Sequence, residues 1–227
     1  MFNEKHSVSS FIKEFVFGIE DGLITTLGVA SGVGAAALGG QAIILSSLSG
    51  MFAGAISMAA ADYLSTKSQK EVIDRQADIE RGEMKNIPWK EREEVEIIYK
   101  RKGFRGKLLK QIVDKITSNK RLWLKTMMIE ELGVMPQKME RPGKLAAYMA
   151  LSFLMGGFLP LVPYFFFSPL RALGISVLVG MTVLFMTGGA KTFVTKRNFF
   201  KSAIEMSFIG FAVFIVTYLI GTFFATL

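Results

Sequence analysis

Four glutamates fall in two i, i+3 pairs, Glu80 with Glu83 and Glu91 with Glu94, and Pro88 stands between the pairs. On a helix that spacing puts both carboxyls of a pair on one face, and a proline corner lets two such faces turn toward each other. Met127 and Glu131 add a thioether and a carboxylate at i, i+4. Carboxylates alone suit hard ions such as Mg²⁺ or Ca²⁺. A thioether adds a preference for softer ions, so a mixed Glu and Met set points to a divalent transition metal. The competing reading of any one pair is a solvated helix face with lysine partners. A second group of acids sits in apolar surroundings: Glu14, Glu20, Asp21, Asp62 and Glu205, with Met58 one helical turn before Asp62. An ionisable side chain at the bilayer centre costs about 2.5–3.5 kcal/mol on insertion scales, so such acids are candidates for a cation pathway. Here the competing reading is that the acids snorkel or pair with Lys13, Lys191 or Lys201, and that Met58 is packing.

Depth decides which elements must carry these groups. Forty residues between Asp21 and Asp62 carry no formal charge and are broken by Gly39-Gly40-Gln41, which predicts two spans over about 14–38 and 42–64. From Leu145 to Ala190 the only charge is Arg171, beside Ser168-Pro169, which predicts spans over about 145–167 and 170–190. Ser202 to Leu227 carries only Glu205 and makes a fifth. Asp21 then lies roughly 10 Å inside the first span at about 1.5 Å per residue, and Met58 lies at nearly the same depth in the second. Gly18, Gly22, Gly28 and Gly32 form a small-xxx-small series that admits a close neighbour and would bury Asp21 against it.

Residues 65–143 are a different material, with thirteen Asp/Glu and nineteen Lys/Arg against six and eight in the rest of the chain. Span two is expected to run on as a helix to about Asn86. Pro88 restarts a helix through about Tyr99, closed by Lys102-Gly103. Two more follow, Gly106 to Thr117 and Lys120 to Leu132, the last ended by Gly133. The expected fold class is an all-α membrane protein of five transmembrane helices with a cytoplasmic helical insert between helices 2 and 3. Its divisions are 1–64 (N-terminal segment and helices 1–2), 65–143 (metal-binding insert) and 144–227 (helices 3–5). Lys5, Lys13, Lys191, Lys196, Arg197 and Lys201 gather at one set of connections, which places the N-terminus and insert inside and the C-terminus outside.

Composition excludes other classes. The chain is 51% hydrophobic with a mean hydropathy of +0.38, too apolar for a disordered protein. Zero Cys removes disulfides, thiolate metal sites and thiol nucleophiles. A lone His6 and the lack of any phosphate-loop or dinucleotide fingerprint argue against an enzyme. The first span is too long for the apolar core of a signal peptide, so it is expected to remain in the mature chain. The net charge of +8 comes with interleaved acids in a juxtamembrane segment, which favours anionic lipid over nucleic acid as a partner.

Gly18-Ile19-Glu20-Asp21-Gly22-Leu23 and Ser57-Met58-Ala59-Ala60-Ala61-Asp62-Tyr63-Leu64-Ser65 resemble signatures of the vacuolar iron transporter family, which includes nodulin-like members. Ile87-Pro88, Glu130-Glu131-Leu132-Gly133, Pro160-Leu161-Val162-Pro163-Tyr164, and Glu205 with Gly210 extend the resemblance over nearly the whole chain. It implies a homodimer of five-helix protomers that moves Fe²⁺, and often Mn²⁺ or related ions, out of the cytosol in exchange for protons. It assigns Asp21 and Met58 to the translocation pathway and Glu80, Glu83, Glu91, Glu94, Met127 and Glu131 to metal collection. Two positions depart from the pattern: Asp62 stands where many relatives have Glu, and Gly50 where some have an acid, which bears on proton coupling. The expected cargo is Fe²⁺, with Mn²⁺, Co²⁺, Ni²⁺ and Zn²⁺ as further candidates, and no prosthetic group. The expected membrane is a prokaryotic plasma membrane, or the vacuolar membrane of a eukaryotic host. The alternatives are a membrane-anchored metal sensor or store, and a passive divalent cation channel.

Overall fold

The computed structural model describes residues 4–36, 38–134 and 141–226. Among the described residues every regular element is helical: α1 (Glu4–Ala35), α2 (Gly40–Asn86), α3 (Pro88–Arg101), α4 (Gly106–Thr117), α5 (Lys120–Glu130), α6 (Pro142–Leu161), α7 (Pro169–Thr195) and α8 (Phe199–Ala225). Stretches within α1, α2, α6, α7 and α8 are long and apolar enough to cross a bilayer, which makes this an integral membrane protein of helical type.

The breaks between elements have local causes. Gly39 adopts φ +86°, open to glycine at no steric cost, and turns the chain into α2. Prolines open α3, α6 and α7 at positions where the missing N–H is not needed. Asn119 caps α5 by accepting from the backbone N–H of Arg121 and Leu122. The third span differs from its expected form. Pro160 and Pro163 remove two donors near its end, and the α-helix tightens into a 3₁₀ turn over Val162–Phe165. The helix α5 stops at Glu130 rather than Leu132, because Gly133 at φ +65° ends the run.

The chain divides into two compact units, Met1–Tyr63 with Glu140–Leu227, and Leu64–Met139. In the first, α1 lies against both α6 and α8. A methyl on Gly22 would overlap the Phe153 carbonyl of α6, and one on Gly221 of α8 would overlap the Gly32 carbonyl of α1. The glycine series therefore meets two partners, α6 through Gly18 and Gly22 and α8 through Gly28 and Gly32. Ser31 and Thr217 add a hydroxyl pair across α1 and α8 at 2.9 Å. In the second unit Val95, Leu109, Val113, Ile116, Trp123 and Met127 form the core. Arg92 braces α3 on α4 by bonding Thr117 and pairing with Asp114, and Lys102 pairs with Glu130.

Candidate metal centre

Within Leu64–Met139, the i, i+3 pairs come from neighbouring helices: Glu80 and Glu83 from α2, Glu91 and Glu94 from α3. Glu131 joins them from the end of α5. One oxygen each from Glu80, Glu83 and Glu91 lie within 4.8 Å of one another, and so do oxygens from Glu91, Glu94 and Glu131. Glu91 belongs to both triads. Glu80 is 3% exposed and Glu91 1%, and each keeps one buried oxygen without a hydrogen-bond partner.

Burying acids together raises their pKa values, because desolvation and mutual repulsion both disfavour the charged form. Burial, then the hydrogen bond and charge of Glu91, push Glu80 from its ordinary 4.5 up to about 8. Burial is also the main cause that raises Glu91, with Glu94 and Glu83 adding to it against the opposing hydrogen bond from Glu80. Glu131 rises through burial and the charges of Glu94, Glu91 and Glu83. The opposing cation at both Glu91 and Glu131 is Lys90, whose ammonium is 3.5 Å from Glu94. Elsewhere in this unit Glu71 pairs with Lys67 and Asp78 with Arg81. Among the described residues these five carboxyls thus face one lysine and are short of positive charge, which a divalent cation would supply. Met127 is wholly buried in the hydrophobic core beside Val95 and Trp123, so the two triads themselves offer oxygen donors.

The acids of the apolar unit fall into two groups. Glu14 is buried and ion-paired with Lys13 at 3.3 Å, and both lie near enough to Asp62 to act on it electrostatically. Asp62 has one buried oxygen, Oδ2, without a hydrogen-bond partner. Glu20, by contrast, feels Lys191, Asp21 and Glu205. Glu205 is itself exposed, in a groove with Lys201, Ile204 and Phe208. Met58 is partly buried against the cluster of Met51, Ala55 and Phe153. Two groups escaped the reading of the sequence: the fully buried hydroxyls of Thr26 on α1 and Ser47 on α2, neither with a hydrogen-bond partner. Hydroxyls of apolar helices usually bond back to their own turn, and nothing in their spacing marks these as different.

The fold and the acidic cluster together define a polytopic helical membrane protein with a second compact helical unit that gathers five glutamates. The VIT family model matches residues 12–222, and the chain belongs to that family. It is similar to vacuolar iron transporter 1 of Arabidopsis thaliana, 30% identical over 209 residues, covering 91% of this chain and 84% of the relative. Vacuolar iron transporter 2 of Oryza sativa subsp. japonica is 31% identical over 91% of this chain and 85% of its own length. The vacuolar iron transporter of Toxoplasma gondii is 30% identical over 97% of this chain and 76% of its own.

Proposed function

We propose that this chain is a divalent transition-metal transporter, with Fe²⁺ as its cargo and Mn²⁺ as a second one, exporting metal from the cytosol in exchange for protons. The observation that carries the reading is the convergence of five glutamates from three helices on two overlapping triads, in a chain whose relatives are named vacuolar iron transporters. In this reading the insert, residues 65–143, is cytoplasmic and collects metal through the oxygens of Glu80, Glu83, Glu91, Glu94 and Glu131, while Met127, expected among the ligands, packs in the core of this unit. The ion then passes Asp21 and Met58 between the first two spans. Glu14 and Glu20 flank the entry of the first span, and Asp21, Asp62 or Glu205 exchanges protons for metal. The working form is a homodimer whose first two spans face their symmetry mates. The chain is a carrier rather than an enzyme and needs no prosthetic group.

Flux of Fe²⁺ and Mn²⁺ into proteoliposomes, with and without an imposed pH gradient, tests this reading. Met58→Ala and Asp21→Ala are each expected to abolish flux while leaving the protein folded. Undiminished flux in both variants overturns the pathway. Flux that ignores the gradient makes the protein a passive channel, and metal binding without flux makes it a sensor or store.

A further inference from the structure

The unit that gathers the glutamates also carries a cavity of opposite charge. About 430 Å³ in volume, it is lined by Arg81, Met84 and Lys85 of α2 and by Lys120, Arg121 and Trp123 of α5. Arg81 shares its charge with Asp78. Lys85, Lys120 and Arg121 have no acidic partner among the described residues. Trp123 is 8% exposed, and its indole Nε1 is buried without an acceptor, whereas a buried indole N–H ordinarily finds one. The start of α5 is already satisfied, since Asn119 Oδ1 accepts from Arg121 N at 3.0 Å and Leu122 N at 3.1 Å. An anion here would be held by side chains, with the helix dipole assisting.

Two arginines and two lysines against one aspartate leave more positive charge than a single carboxylate neutralises. The guanidinium fork matches phosphate oxygens in pairs. The volume lies in the range of small-molecule pockets, well beyond a bare inorganic ion, and Met84 and Trp123 give it an apolar side. We propose that this cavity binds an organic phosphate, its phosphate between Arg81, Lys85, Lys120 and Arg121 and its carbon portion on Met84 and Trp123. A free nucleotide and a phospholipid headgroup share that chemistry, and experiment separates them.

The test uses the full chain in phosphatidylcholine nanodiscs. The chain has two tryptophans, and Trp89 is 70% exposed, so Trp89→Phe leaves Trp123 as sole reporter. ADP is expected to change Trp123 emission saturably and inorganic phosphate to do so more weakly. The affinity is expected to fall about tenfold or more in Lys120→Ala/Arg121→Ala on α5 and separately in Arg81→Ala on α2, all at exposed positions. An emission change that requires discs enriched in phosphatidic acid, and is lost in the same variants, assigns the site to a headgroup and sustains the proposal. Emission that responds equally to chloride at matched ionic strength, that ignores the substitutions, or that responds to none of these ligands overturns it.

Discussion

Glu91 is the residue on which the acidic cluster turns, because both triads include it and it is almost fully buried. Glu91→Gln is expected to act in opposite directions on two measurements. It removes one charge from a crowd of like charges, so the metal-free protein should melt at a higher temperature. It also removes a shared ligand, so Mn²⁺ affinity by calorimetry should fall about tenfold or more; a merely misfolded variant would lower both. Glu80 sets the pH dependence. Its folded value of about 8 lies above the ordinary 4.5, so between those limits the folded insert keeps a proton that the unfolded chain has released. Its stabilising contribution is complete below pH 4.5 and is lost as pH rises through about 8. Melting temperature without metal should therefore decline across that window. Metal displaces the proton, so Mn²⁺ affinity should climb over the same window and level off above it. At this scale the sequence was informative about spacing: i, i+3 pairs flanking Pro88, and Glu131 a turn beyond Met127. It could not show which lysine remained near, since Lys90 is one of many bases in the segment and only the packing of α3 singles it out.

Among the elements, α1 was readable as a span from its missing charges and as a close-packing helix from its glycines. The division of those glycines between α6 and α8 was not readable, because a spacing of four states how near a neighbour can come and is silent about which neighbour comes. The contact geometry makes a graded prediction. Gly22→Ala would drive a methyl into the Phe153 backbone and is expected to cost about 1–3 kcal/mol, seen as a lower melting temperature in detergent. Gly50→Ala meets Val29 at 3.6 Å, an ordinary contact, and should be neutral or gain up to about 1 kcal/mol. Proline and glycine signals located most helix ends, including Pro88, Pro169 and Gly133. They missed the 3₁₀ ending of the third span, where Pro160 and Pro163 act together after a helix that hydropathy alone carries onward.

For the whole molecule, composition already set the apolar spans apart from the charged stretch that forms the second compact unit, whereas pairing between copies of the chain leaves no periodic mark in the sequence. The dimer proposed above has a direct test that the absence of native Cys makes clean. Ile56, 69% exposed on α2, is apolar and faces outward, and Ile56→Cys is expected to give an oxidatively cross-linked dimer in membranes. Phe208→Cys, on the outward face of α8, is expected to stay monomeric on a denaturing gel. Two linked copies would bring two glutamate clusters to one complex, and Glu91's place in both triads governs how each would fill. One carboxyl cannot give its full charge to two ions, and ions so near repel each other. The first would enter tightly and the second loosely, and loading would spread over a broad range of concentration instead of rising in one step. Filled in this way, such a cluster would act as a shallow reservoir: the arrival of one ion would loosen its neighbour, and metal would be given up as readily as it is gathered.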